Sequence, residues 1–187
     1  MSTAQPTFDD VWRMFQELGE QSRETDRKFQ ETDRLFKAQA EETKRLQELF
    51  ESQWGRLMES LVEGDLVNIL KCRGIAVLDT STRLKGKTSA GGNYEFDILA
   101  HNGDELVVTE VKTTLRPKDV EHFIGRLDKF KVWLPRYANN RIYGAVAYLT
   151  ADAAADTMAE KRGLFVIRAT GDSASIINAK DFLPRGW

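Results

Sequence analysis

Cysteine and histidine are scarce in this chain: Cys72 is the only cysteine, and there are two histidines among 187 residues. A single cysteine excludes an intrachain disulfide and any cysteine-cluster zinc site, and it fits a reducing compartment. At the end of a helical pattern Cys72 reads as a small apolar residue. With so few of either type, in unrelated segments, no Ser-His-Asp or Cys-His arrangement is available for nucleophilic catalysis. There is no N-terminal basic region followed by an apolar stretch, and no apolar run approaches the ~18 residues of a membrane span. The expectation is a cytoplasmic protein without a membrane partner. A dominant charge is also missing, with 27 Lys and Arg against 29 Asp and Glu. Residues 1–57 hold 9 basic and 12 acidic side chains, which leaves 18 and 17 for the rest. Any surface for a polyanion must therefore be local.

Proline is absent from Phe8 to Gln53, and Gly19 is the only glycine there. Thr7 and Asp10, just after Pro6, have the spacing of a helix cap. A helix of these 46 residues would extend about 70 Å at ~1.5 Å per residue. Within it Glu24-Thr25-Asp26-Arg27-Lys28-Phe29-Gln30 is followed by Glu31-Thr32-Asp33-Arg34-Leu35-Phe36-Lys37, identical at five of seven positions. The period is a heptad. Phe15, Ser22, Phe29, Phe36, Thr43, Phe50 and Leu57 fall at a, and Val11, Leu18, Thr25, Thr32, Gln39, Leu46 and Gln53 at d. Met14, Leu35 and Leu49 at g widen the stripe. Four phenylalanines in one register are costly to leave in water, so the pattern predicts a homo-oligomer through a coiled coil over residues 1–55, as a dimer, trimer or tetramer. Lys28 at g and Asp33 at the next e would pair in a parallel arrangement.

From residue 56 the pattern changes. Met58, Leu61, Val62, Leu66, Ile69 and Leu70 form a helical stripe that stops at Arg73-Gly74. Ile75 to Asp79 reads as a short strand, and the polar segment through Arg83, Lys85, Lys87 and Gly91-Gly92 as a loop. Tyr94–Ala100 and Glu105–Thr113 read as a hairpin turning at Asn102-Gly103. An amphipathic helix after Pro117 carries Val120, Phe123, Ile124, Leu127, Phe130 and Trp133. Ile142–Thr150 is an apolar strand, Asp152–Arg162 an alanine-rich helix and Leu164–Arg168 a last strand. This order predicts an α/β domain over residues 56–187, with a mixed sheet between helices.

Charges stand inside two of these strands, in Glu95-Phe96-Asp97-Ile98-Leu99 and Thr109-Glu110-Val111-Lys112-Thr113. An unpaired buried ion costs several kcal/mol, so such residues call for pairing or a metal. A two-residue turn would set His101 opposite Asp104 and Asp97 opposite Val108. Asp97, Glu110 and Lys112 then share a face, with the two carboxylates diagonal neighbours about 7 Å apart at the backbone. Hard oxygen ligands suit Mg²⁺, which takes one or two carboxylates and completes its shell with water and phosphate. Lys112 could orient a water and offset developing charge. Glu95 shares this face as a weaker candidate. Glu63, at the edge of the helical stripe with Gly64 beside it, could also reach the site, as could Glu59 one turn earlier. Arg83, Lys85, Lys87, Arg116 and Lys118 flank it as candidates for phosphate contacts, while His122 and Arg126 either face the site or are solvated.

Asp97, twelve intervening residues, then Glu110-Val111-Lys112 after a helical Glu63, resembles the PD-(D/E)XK nuclease superfamily over roughly Arg56 to Arg168. Phe96 stands where the motif's name has proline. The heptad helix with its Glu-Thr-Asp-Arg repeats, Glu63-Gly64 and a Phe-Leu-Pro-Arg ending is similar to a prokaryotic family of unknown function within that superfamily. The resemblance implies a restriction-endonuclease-like αβββαβ core and a Mg²⁺- or Mn²⁺-dependent nuclease acting on nucleic acid, DNA foremost. It implies Asp97 and Glu110 as metal ligands, Glu63 as a helix carboxylate assisting metal or water, and Lys112 as the catalytic lysine. The alternative is a coiled-coil scaffold that has lost turnover and only binds nucleic acid or a protein.

Overall fold

The heptad pattern forms helix α1 (Phe8–Lys71) in the computed structural model, which describes residues 7–88, 91–170 and 173–187, with Glu51 described by its backbone alone. Thr7 and Asp10 cap it reciprocally. The Thr7 N–H donates to Asp10 Oδ2 at 3.0 Å, and the Asp10 N–H donates to Thr7 Oγ1 at 3.3 Å. The hydrogen bonds from Thr7 hold the Asp10 carboxyl below its usual range. Pro6 lies outside the described residues. By contacts the chain divides into two compact units, Met1–Glu51 and Ser52–Trp187.

In the first unit the seam side chains Phe15, Leu18, Phe29, Phe36 and Leu46 are exposed, Phe29 at 76 %. Lys28 pairs with Glu24 and Lys37 with Asp33, each one turn apart on the same helix. Such exposed pairs contribute tenths of a kcal/mol each, so they support the helix without specifying its partner.

The second unit is a six-stranded sheet in the order β1-β2-β3-β4-β5-β6. Its strands are β1 (Asp79–Lys87), β2 (Asn93–His101), β3 (Glu105–Leu115), β4 (Arg141–Ala151), β5 (Phe165–Ala169) and β6 (Ala174–Ile176). The pairings β1-β2, β2-β3 and β5-β6 are antiparallel, whereas β3-β4 and β4-β5 are parallel. The crossover between β3 and β4 contains α2 (Pro117–Leu127) and α3 (Phe130–Trp133), and α4 (Ala155–Lys161) joins β4 to β5. Two cores result. Met58, Val62, Leu66 and Leu70 of α1 cover one sheet face with Ile98, Val107, Val111 and Ile167. On the other face Val120, Phe123 and Leu127 of α2 pack with Leu106, Val108, Val146 and Val166. The fold is mixed α/β, in the expected αβββαβ order.

Several local expectations are corrected. Residues 80–87, read as a loop, belong to an edge strand that begins at Asp79. It pairs on one side only and buries little, so its polar sequence carries no apolar period; Lys85 pairs across to Glu95 at 2.8 Å. Ile75 and Val77, read as a strand, are buried against α1 without joining a ladder. The helix after Pro117 ends at Leu127 before a separate turn, and α4 begins at Ala155 rather than Asp152. Strand β6 has no counterpart among the expected elements. Cys72 follows α1 and is exposed.

The hairpin register also differs. His101 pairs with Leu106 and Leu99 with Val108, so the loop spans Asn102–Glu105. The Asn102 side chain closes it, accepting from the Glu105 N–H at 2.6 Å and donating to Glu105 Oε2 at 2.7 Å, while Gly103 takes the left-handed φ of +93°. A shift of two residues preserves faces. In this register the ladder ends at Ile98–Thr109, so Asp97 and Glu110 are the next residues on β2 and β3 beyond its last pair.

Candidate active site

The β2-β3 ladder is paired from His101–Leu106 to Ile98–Thr109, and Asp97 stands at the next position. There the alternation of β2 breaks. Phe96 and Leu99 join the α2 core, whereas Ile98 and Ala100 join the α1 core. Opposite this break on β1, Arg83 adopts φ of +54°, an uncommon conformation for a non-glycine residue. The Val111 N–H takes the Asp97 carboxylate as its acceptor, at 2.8 Å to Oδ2. Asp97 is thereby fixed to β3 by its own side chain.

Glu110 follows Thr109, the last paired residue of β3 in this ladder, and its side chain is 7 % exposed. Its Oε1 is 2.8 Å from Lys112 Nζ, and its Oε2 accepts from Arg126 Nη2. The structure thus brings Asp97, Glu110 and Lys112 together. Burial first, and then the charge of Glu110, push the Asp97 carboxyl up to about 6, against the opposing effects of the Val111 hydrogen bond and Lys112. Burial works against the Lys112 ammonium, yet Glu110, Asp97 and Asp119 outweigh it and raise that group above its ordinary value. As an ammonium beside Glu110, Lys112 can donate hydrogen bonds and offset negative charge.

The two helix carboxylates occupy different surroundings. Glu63 accepts from the Thr80 hydroxyl at 3.1 Å. Glu59 holds Arg83 in a two-point pair, 2.7 Å from Nε and 3.1 Å from Nη2, and its charge contributes to raising Asp97. Among the cations expected to meet phosphate, Arg83, Lys85 and Arg116 are paired with Glu59, Glu95 and Asp152. Lys87 and Lys118 are exposed and carry no ion pair among the described residues. Glu95 is engaged by Lys85, and His122 is exposed.

Of His122 and Arg126, expected either to face the site or to be solvated, Arg126 lies at the site, against Glu110. Its side chain is 16 % exposed. Nη1 donates to the Glu95 carbonyl at 2.7 Å, and the guanidinium lies 5.3 Å from the Phe96 ring centre and 5.6 Å from that of Phe123. Among the described residues no three His, Cys, Asp or Glu side chains cluster as a self-sufficient metal site.

Residues 68–176, more than half of the chain, match the family described as a domain of unknown function, DUF8196. The chain belongs to this family. The DUF8196 match contains Asp97, Glu110, Lys112 and Arg126, while Glu59 and Glu63 precede it. No curated protein matches the chain. Solved structures with similarity include a repair endonuclease from Pyrococcus abyssi, at 17 % identity over 59 % of this chain and 46 % of that one, with a TM-score of 0.38. An EndoMS–dsDNA complex matches at 16 % identity over 65 % and 44 %, with a TM-score of 0.39. A protein of unknown function, AF1548, matches at 15 % identity over 54 % and 53 %, with a TM-score of 0.38. The chain spans about half the length of these structures. No helix among the described residues is long and apolar enough to cross a membrane.

Proposed function

We propose that the DUF8196 domain of this chain is a Mg²⁺- or Mn²⁺-dependent phosphodiesterase of the PD-(D/E)XK kind, a nuclease acting on DNA. The observation that carries this reading is Asp97. Its carboxyl is pushed up to about 6 beside a second carboxylate, and Oδ1 has no hydrogen-bond partner among the described residues. A divalent cation relieves that arrangement, and the two hard-oxygen donors suit Mg²⁺ or Mn²⁺ with water and phosphate completing the shell. Asp97 and Glu110 would hold the metal. When bound, it supplies a lowered pKa for an attacking water and offsets charge on the scissile phosphate. Lys112, as an ammonium, would orient that water and stabilise charge developing on the phosphate oxygens. Glu63, which accepts from the Thr80 hydroxyl, would be the helix carboxylate assisting metal or water, with Glu59, which holds Arg83, as the other candidate. Lys87 and Lys118, exposed and without ion pairs among the described residues, are the cations left for backbone phosphates.

A second reading has its own support. Both Glu110 oxygens already accept from cations, so Asp97, Glu110, Lys112 and Arg126 sum to zero charge without a metal. A domain that binds nucleic acid or a protein without turnover fits that balance. Cleavage of labelled single-stranded, duplex and branched DNA with Mg²⁺ or Mn²⁺ separates the two. The nuclease reading expects cutting that Asp97→Ala abolishes. Absence of cutting on every substrate, or equal cutting by the variant, leaves the binding reading.

We further propose that residues 8–51 self-associate with copies of the same helix in the heptad register, through Phe29 and Phe36 among others. Tethering several domains in this way raises apparent affinity for a long polyanion without new contacts. Light scattering is expected to give a multiple of the 21.3 kDa chain mass. Phe29→Ser combined with Phe36→Ser should return the monomer. A monomeric parent protein at working concentration removes this part of the proposal.

A further inference from the structure

Arg126 is held by contacts beyond its pair with Glu110. Its Nη1 is bound to the Glu95 carbonyl, one face meets Phe96, and Phe123 lies on its own helix close by. Lys112, by contrast, is 37 % exposed on a flexible stem. The two cations on Glu110 are therefore not equivalent. The guanidinium is a fixed part of the domain, and the ammonium is the partner that can exchange. Glu110 Oε2 would stay with Arg126, which would leave Oε1 for a metal if Lys112 turned to another anion.

The charge balance has a second consequence. Asp97, Glu110, Lys112 and Arg126 cancel, and the adjoining pair of Glu59 and Arg83 cancels as well. A divalent cation entering alone leaves an excess of two positive charges in a partly buried site, where repulsion from the fixed guanidinium is only weakly screened. An anionic phosphodiester offsets part of that excess and offers Lys112 a new partner.

We propose, resting on the metal-dependent reading above, that Arg126 is a positioning residue and built-in counter-cation. It fixes Glu110 as a one-oxygen ligand and keeps a divalent metal weakly bound until a phosphodiester arrives. Metal and substrate therefore bind cooperatively, and by linkage each strengthens the other by the same factor.

Mn²⁺ titration of the free protein, followed by electron paramagnetic resonance, tests this without any turnover. Arg126→Met keeps an apolar stem over Phe96 and removes the charge. It is expected to bind Mn²⁺ about tenfold or more tightly than the parent. Arg126→Gln, which keeps a donor for Glu110 without the charge, should tighten binding likewise, so the result does not depend on one variant folding. Arg126→Lys, which restores the charge, should return to within about threefold of the parent. Asp97→Ala should bind no Mn²⁺. If both neutral variants bind Mn²⁺ no better than the parent while Asp97→Ala loses it, Arg126 is not a counter-cation and the metal reading survives. If Asp97→Ala binds as the parent does, or no protein binds Mn²⁺, the metal reading falls and this inference falls with it.

Discussion

Lys112→Ala is expected to slow metal-dependent DNA cleavage by about a thousandfold in single turnover while leaving DNA affinity within a few-fold of the parent. The reason is electrostatic. Lys112 Nζ lies 2.8 Å from Glu110 Oε1, and the surrounding carboxylates keep it protonated against the effect of burial. A group so placed acts on charge that develops during reaction, and loss of one such preorganised donor typically costs 10²- to 10³-fold. A single ammonium adds little to ground-state binding of a long polyanion, so rate and affinity should separate. Lys112→Arg is expected to rescue poorly, because a planar fork engaged with two carboxylates cannot reproduce a compact charge aimed at one oxygen. Cutting by Lys112→Ala at the parent rate would remove Lys112 from the chemistry.

Asp97→Asn should make the metal-free protein more stable than the parent at pH 8 by about 2–3 kcal/mol and leave it nearly unchanged at pH 4. The Asp97 carboxyl is raised from 3.8 to about 6 in the folded domain, chiefly by burial and then by Glu110. Below about pH 3, under both values, folded and unfolded chains hold the proton, and the group contributes no difference. Between about 4 and 6 the unfolded chain releases it first, so the folded state loses stability as pH rises, and above 6 the full deficit persists. Asparagine removes this titration yet keeps an oxygen for the Val111 N–H. Millimolar Mg²⁺ should stabilise the parent at pH 8 and not the variant, since a ligand stabilises only the state that binds it. Urea unfolding across pH 4–8 measures both effects; a constant difference at every pH would show that Asp97 is not perturbed by its surroundings.

Greater stability of the variant would mean that Asp97 is kept at a cost to the fold. The fixed parts of that cost are visible. The β2-β3 ladder ends at Ile98–Thr109, β2 reverses its faces between Phe96 and Ile98, and Arg83 stands at φ +54° opposite the reversal. Local irregularity of this kind persists when the rest of the domain over-determines it. Here two apolar layers, one on each sheet face, provide that support.

What could be read along the chain was whatever repeats locally. A seven-residue period with no proline marks α1, because helix formation depends on neighbours three and four residues apart. Apolar runs mark β2, β3 and β4, and charges within the first two pointed to Asp97, Glu110 and Lys112. Strand β1 left no such trace. An edge strand that buries little needs no apolar period, and Thr80, Arg83 and Lys85 acquire their partners Glu63, Glu59 and Glu95 only through folding. The hairpin register depended on the Asn102 side chain closing a longer loop than Asn-Gly suggests, an interaction that propensity does not encode. Arg126 depended on even more. Its role follows from α2 packing beside Phe96 and Glu110, residues 16 or more positions earlier, and local pattern does not extend so far. Residue types along the chain establish which charges stand where water is scarce. Only the packed domain decides which cation meets which carboxylate, because each buried charge must find a partner among groups that the chain alone holds far apart.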